Sequence, residues 1–68
     1  AEKILSICAT PKQFEQILQQ LFADFGLAMN IEQYVLVGST VRSYLAWLSD
    51  TGRMEYFFEN NQMLWKAK

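Results

Sequence analysis

The chain has 68 residues, a formal net charge of −1 and 51% hydrophobic residues. This composition excludes a disordered chain and predicts one domain, residues 1–68, with a small core and a narrow margin of stability. Histidine is absent and Cys8 is the only cysteine. The chain therefore has no internal disulfide, no cysteine–histidine zinc site and no histidine-dependent catalytic triad.

The first residues of the chain and the length of its apolar runs indicate its origin and its cellular location. It begins at Ala1 rather than methionine and opens on a helical pattern. We therefore expect a domain excised from a longer chain, with processing of a short protein as the alternative. No signal-peptide pattern is present, and no apolar run approaches the roughly 20 residues of a bilayer span. A cytoplasmic location without membrane contact is expected.

Two helices are predicted in the first half of the chain. Apolar residues at helical spacing predict the first over residues 2–9. Thr10 is a good N-cap and Pro11 is favoured at the first helical position, so a second helix is predicted over residues 11–25. Its apolar face extends to Phe25, and the next residue, a glycine, ends it.

A third helical pattern covers residues 31–50. Asn30 is its predicted N-cap, and its predicted core face includes Tyr44. Gly38 interrupts the pattern, so we expect a break or kink there and a separate helix over residues 41–49. One straight helix is the alternative.

The last segment changes to the two-residue period of a β-strand. Asn60 and Asn61 are suited to a two-residue turn with positive φ, which predicts a hairpin. That turn pairs Tyr56 with Trp65 and sets opposite charges across from each other. The face of the hairpin that carries Tyr56 is expected to pack on the helices.

The predicted fold is mainly α with a C-terminal β-hairpin. Three or four helices followed by a two-stranded wing are typical of a winged helix-turn-helix domain. In this arrangement residues 11–25 form the second helix, and residues 41–49 form the recognition helix.

No group of residues predicts catalysis, a metal site or a bound cofactor. The carboxylates are scattered without ligand spacing, and each of the three glycines stands at a helix end or break rather than in a phosphate-binding loop. Cys8 lies on the apolar face of the first helix, so we expect a buried thiol rather than a reactive one.

Four residues are predicted to contact a protein partner. Arg42 is the only basic residue in the third helical segment. Trp47 lies beside the core face of that segment, where it either packs in the core or marks a contact surface. Phe57 and Leu64 lie on the face of the wing that the helices leave uncovered.

Five motifs carry a resemblance to a known family: Thr10-Pro11-Lys12, Phe14-Glu15-Gln16-Ile17, YVLVGSTVRSYLAWL over residues 34–48, Gly52-Arg53, and Asn61 followed by Leu64-Trp65. They are similar to the winged-helix C-terminal domain that follows the catalytic domain in bacterial metallo-β-lactamase-fold hydrolases. The resemblance implies a non-catalytic domain that packs on its hydrolase or shapes substrate access. It also implies zinc ligands in the catalytic domain, none of which this histidine-free chain supplies.

We therefore expect an accessory domain that binds protein, either its own catalytic domain or a second copy. An acidic pI of about 5.1 favours this, because a DNA-binding module normally carries a basic face. The alternative is a DNA-binding winged-helix domain of a bacterial regulator. Its phosphate contacts would come from Ser39, Thr40, Arg42, Ser43, Arg53 and Lys66.

Overall fold

The computed structural model of the chain describes residues 1–68 and contains three helices followed by a two-stranded antiparallel hairpin. This confirms the predicted helix-rich, winged-helix-like layout. The elements are α1 (Glu2–Ile7), α2 (Phe14–Asp24), α3 (Ile31–Asp50), β1 (Met54–Glu59) and β2 (Gln62–Ala67).

The start of α2 differs from the prediction at Thr10 and Pro11. The helix begins at Phe14, with Gln13 as its N-cap. The backbone N–H of Gln13 donates to Oε1 of Gln16 at 2.8 Å, which is one half of a capping box. The preference of Thr10 and Pro11 for a helix start is overridden, because the backbone just after them is held extended by pairing with β2.

That pairing joins Lys12 to Trp65 in an antiparallel bridge. The N–H of Lys12 donates to the carbonyl of Trp65 at 2.9 Å, and the N–H of Trp65 donates back at 2.8 Å. The N–H of Ala67 donates to the carbonyl of Cys8 at 2.9 Å. The connector between α1 and α2 thus lines the outer edge of β2, and the hairpin is attached to the helices through backbone hydrogen bonds.

The turn between α2 and α3 follows the predicted signals. Gly26 has φ +66°, the left-handed conformation that ends many helices. Asn30 caps α3, since its Oδ1 accepts from the N–H of Gln33 at 2.9 Å.

The expected break of α3 near Gly38 is wrong, because α3 runs unbroken for 20 residues. Gly38 is buried, and a Cβ built there would lie 3.7 Å from Cζ of Phe14 and 3.8 Å from Cδ1 of Leu18. Both separations are ordinary van der Waals distances, so α2 packs on α3 at this glycine without requiring its small size. The hydroxyl of Thr40 donates to the carbonyl of Leu36 at 3.2 Å, one turn earlier in the same continuous helix.

The hairpin has the predicted register. Tyr56 pairs with Trp65, and their ring centroids are 5.5 Å apart. Asn60 and Asn61 have φ +54° and +61°, as a two-residue turn with both central residues left-handed requires.

The core lies between the three helices and the base of the hairpin. Cys8 is fully buried there, and its burial raises the pKa of its thiol to about 11. Two residues predicted on core faces lie outside it: Tyr44 is 42% exposed, and Phe25, which follows the last residue of α2, is 63% exposed. The buried apolar residues are Ile4, Cys8, Ile17, Leu18, Leu21, Phe22, Val41, Leu45, Leu48 and Met54.

Candidate functional site

The outer side of α3 carries an exposed row of uncharged side chains, which we call the α3 stripe. It consists of Leu36, Thr40, Ser43, Tyr44 and Trp47. Their spacing of three or four residues places them on one side of a helix. Leu36 is 66% exposed and Trp47 is 51% exposed. The stripe therefore presents apolar surface to solvent, with small hydroxyl residues between its large side chains.

A shallow groove continues the α3 stripe towards α1 and α2. Its volume is about 210 Å³ and its lining is mostly apolar, including Phe25, Leu27 and Tyr44. Lys3 is the charged residue of the lining, and its Nζ lies 2.8 Å from Oδ2 of Asp24. The hydrogen bond from Lys3 lowers the pKa of Asp24 below its usual value. The charge beside the groove is therefore neutralised within the chain.

Arg42, which was predicted to contact a partner, lies on another side of α3. Its guanidinium carbon is 3.9 Å from the centroid of the Phe14 ring, a cation–π contact to α2. One more contact joins these helices, since the hydroxyl of Tyr34 donates to the carboxylate of Glu15 and this hydrogen bond raises the pKa of Tyr34. Arg42 is exposed, but it also helps to join α2 and α3.

The wing residues Phe57 and Leu64 are both half-buried, and neither belongs to the side chains packed on the core. They are paired across the two strands. The opposite face packs on the helices only near its base, through Met54 and Trp65, whereas Phe58 near the turn is 70% exposed. The expectation that this whole face is covered is wrong, because the hairpin extends beyond the helices.

The residues proposed for phosphate contact do not form a free cationic face. Ser39, Thr40 and Ser43 are exposed along α3. The guanidinium of Arg53 lies 2.8 Å from Oε1 of Glu2. Lys66 is half-buried, and its Nζ donates to the carbonyl of Ala67 at 3.3 Å. Together with Arg42 on the Phe14 ring, each cation of this set contacts a group of the chain itself.

The structure contains no group of three or more acidic, cysteine or histidine side chains arranged to hold a metal ion. None of the helices combines the length and the hydropathy needed to cross a bilayer. Comparison with protein-family models, curated proteins and solved structures finds no match for the chain.

Sequence reasoning identified only part of the α3 stripe. It named Trp47 as a partner contact and Thr40 and Ser43 as phosphate contacts, but placed Tyr44 in the core and did not select Leu36. The signal was present, because residues 36, 40, 43, 44 and 47 are uncharged and share one side of a continuous helix. The expected break at Gly38 hid this pattern, since it assigned residue 36 and residue 47 to separate segments.

Proposed function

We propose that this chain is a non-catalytic winged-helix accessory domain that acts through protein–protein contacts. The proposal rests on the α3 stripe, an exposed and uncharged row of side chains on the longest helix. Tryptophan and tyrosine are enriched at protein interfaces, and apolar surface that continues into a groove is typical of a docking site. The resemblance noted in the sequence further supports a domain appended to a cytoplasmic metallo-β-lactamase-fold hydrolase.

The same helix is poorly suited to nucleic acid. A helix that reads DNA presents several basic or amide side chains to the groove, and phosphate contacts supply most of the non-specific affinity. The α3 stripe has no charge, and Arg42 contacts Phe14 instead of standing free. Arg53 is likewise paired with Glu2. These contacts favour protein docking over the DNA-binding alternative.

Titration with random duplex DNA at low salt tests this proposal. We expect a dissociation constant for DNA no lower than about 100 µM, which is the weak end of ordinary non-specific affinity. An Arg42→Ala, Arg53→Ala double variant is the matched control. The wild-type chain would contradict the proposal by binding DNA with a dissociation constant well below about 100 µM, provided that this affinity falls steeply with added salt and is lower in the double variant. The DNA-binding alternative would then replace the proposal.

The coding sequence upstream of Ala1 tests the link to a hydrolase separately. We expect the reading frame before the codon for Ala1 to encode a catalytic region rich in histidine and aspartate. A start codon at that point, without such a region, would remove the hydrolase from the proposal and leave the docking function in place.

A further inference from the structure

We propose that the partner of the α3 stripe is a second copy of this chain, bound with its α3 antiparallel to the first. This inference rests on the proposed docking function and adds the identity of the partner. In an appended domain, such pairing would join two copies of the parent protein.

Four of the five side chains along the stripe exchange places about a twofold axis, and the fifth, Tyr44, falls opposite the small exposed Ser39. An axis midway between residues 41 and 42 places Thr40 opposite Ser43 of the second copy, and Leu36 opposite its Trp47. The two small side chains at the centre permit the helices to approach closely. The large ones lie about 16 Å apart at 1.5 Å per residue, and they fill the space on either side. An isologous interface requires this kind of pattern.

The charges near the stripe agree with the same axis. Asp50 falls opposite Gln33 of the second copy, so a carboxylate meets an amide that can donate a hydrogen bond. Lys3 at the edge of the groove is already paired with Asp24 at 2.8 Å. No like charges are brought together at the centre, where repulsion would be strongest. A stripe evolved to face an acidic or basic partner would carry the opposite charge, and this one carries none.

The available area is close to what a stable dimer needs. A standard interface buries about 800 Å² on each partner, less than a fifth of the 4527 Å² surface of the chain. The exposed parts of the large apolar side chains offer roughly 600 Å². These side chains are Phe25, Leu27, Leu36, Tyr44 and Trp47. The small and polar side chains between them supply the remainder.

Sedimentation equilibrium from about 10 µM to 1 mM tests the proposal. We expect a reversible dimer in the wild-type chain and a monomer in Thr40→Lys, because that change sets two ammonium groups about 5 Å apart along the helix axis. Ser43→Glu is expected to be monomeric for the same reason with carboxylates. Val35→Lys is the matched control, because Val35 is an exposed apolar residue on another side of α3 and its change should leave the dimer intact.

Mixing the two monomeric variants tests the antiparallel register. In the mixed pair, Lys at position 40 lies opposite Glu at position 43, so an equimolar mixture should form a heterodimer that salt weakens. Trp47→Ala removes an aromatic side chain from both copies, so a five- to sixfold loss from each should weaken the wild-type dimer about thirtyfold in all. Circular dichroism of each variant confirms that it is folded.

Three results would overturn the dimer. These are a wild-type monomer at 1 mM, a dimer that Thr40→Lys leaves unchanged, and a mixture of the two charged variants that stays monomeric. None of these three results is evidence for DNA binding, so they would reject the dimer without rejecting the docking function. Salt-sensitive DNA binding would reject the docking function whatever the oligomeric state.

Discussion

Replacing Gly38 with alanine is expected to stabilise the protein, although this glycine is buried in the centre of the molecule. Gly38 lies inside α3 with ordinary helical geometry and is not among the residues with positive φ. Glycine in a helix interior costs about 1 kcal/mol relative to alanine, because it loses more backbone freedom on folding.

The space around Gly38 decides the sign of the effect. An added Cβ would lie 3.7 Å from the Phe14 ring and 3.8 Å from Leu18, which are normal van der Waals separations. The methyl group therefore adds contacts without displacing its neighbours. Together with the helix preference, we expect a gain of about 1–2 kcal/mol in the free energy of unfolding, or a rise of roughly 7–14 °C in Tm for a domain of this size.

Gly26→Ala is the matched control, with the opposite expected sign. No atom lies within 4 Å of a Cβ at this position, so the site has room for a methyl group. Its φ of +66° is nevertheless the left-handed conformation, which costs a residue with a side chain about 1–2 kcal/mol. The same substitution should therefore destabilise the protein here.

Urea and thermal unfolding followed by circular dichroism measure both variants against the wild type. A change in the urea midpoint at constant slope identifies a change in stability alone. Loss of stability in Gly38→Ala would refute the packing of α2 on α3 described above. A neutral Gly26→Ala would refute the left-handed end of α2.

Three further predictions concern the core, the wing and the buried thiol. Leu18→Ala should cost about 2–5 kcal/mol in urea unfolding, since Leu18 is fully buried; an unchanged midpoint would contradict the core. Phe57→Ser should cost about 1 kcal/mol or less, and a loss as large as that of Leu18→Ala would place Phe57 in the core. Stability should fall as pH rises from 9 towards 11, because the Cys8 thiol, with its pKa raised to about 11 from 9.0, stays protonated in the folded state while the unfolded state ionises. Cys8→Ala should remove that part of the decline, and an identical pH profile in this variant would contradict it.

The sequence was sufficient where structure depends on neighbouring residues. The cap at Asn30 and the left-handed turn at Asn60 and Asn61 follow from the local chemistry of their own side chains. The register of the hairpin follows from the length of its turn. These parts were predicted correctly because no distant contact competes with the local preference.

The errors arose where a distant segment decides the local structure. Thr10 and Pro11 favour a helix start, but Trp65, more than fifty residues away along the chain, holds Lys12 in an extended conformation. Gly38 favours a break, but α3 stays helical through it, where Phe14 and Leu18 of α2 pack against it. Neither contact can be predicted from the local preferences of neighbouring residues.

The candidate site was only partly predictable for the same reason. Trp47 was singled out from its residue type and its position beside the core face. Tyr44 was assigned to the core because helical spacing alone does not fix the width of the buried side. Its 42% exposure follows from how far α1 and α2 reach around α3, which depends on the packing of the three helices together.

The central position of β2 has a consequence for how the protein folds. This strand pairs with β1 on one side and with Lys12 on the other, and Ala67 is bonded to the end of α1. The earliest and latest parts of the chain must therefore meet before the domain is complete. Contacts between residues so far apart in sequence slow folding, and during synthesis the part of the helices that packs on Met54 and Trp65 stays uncovered until the hairpin has left the ribosome.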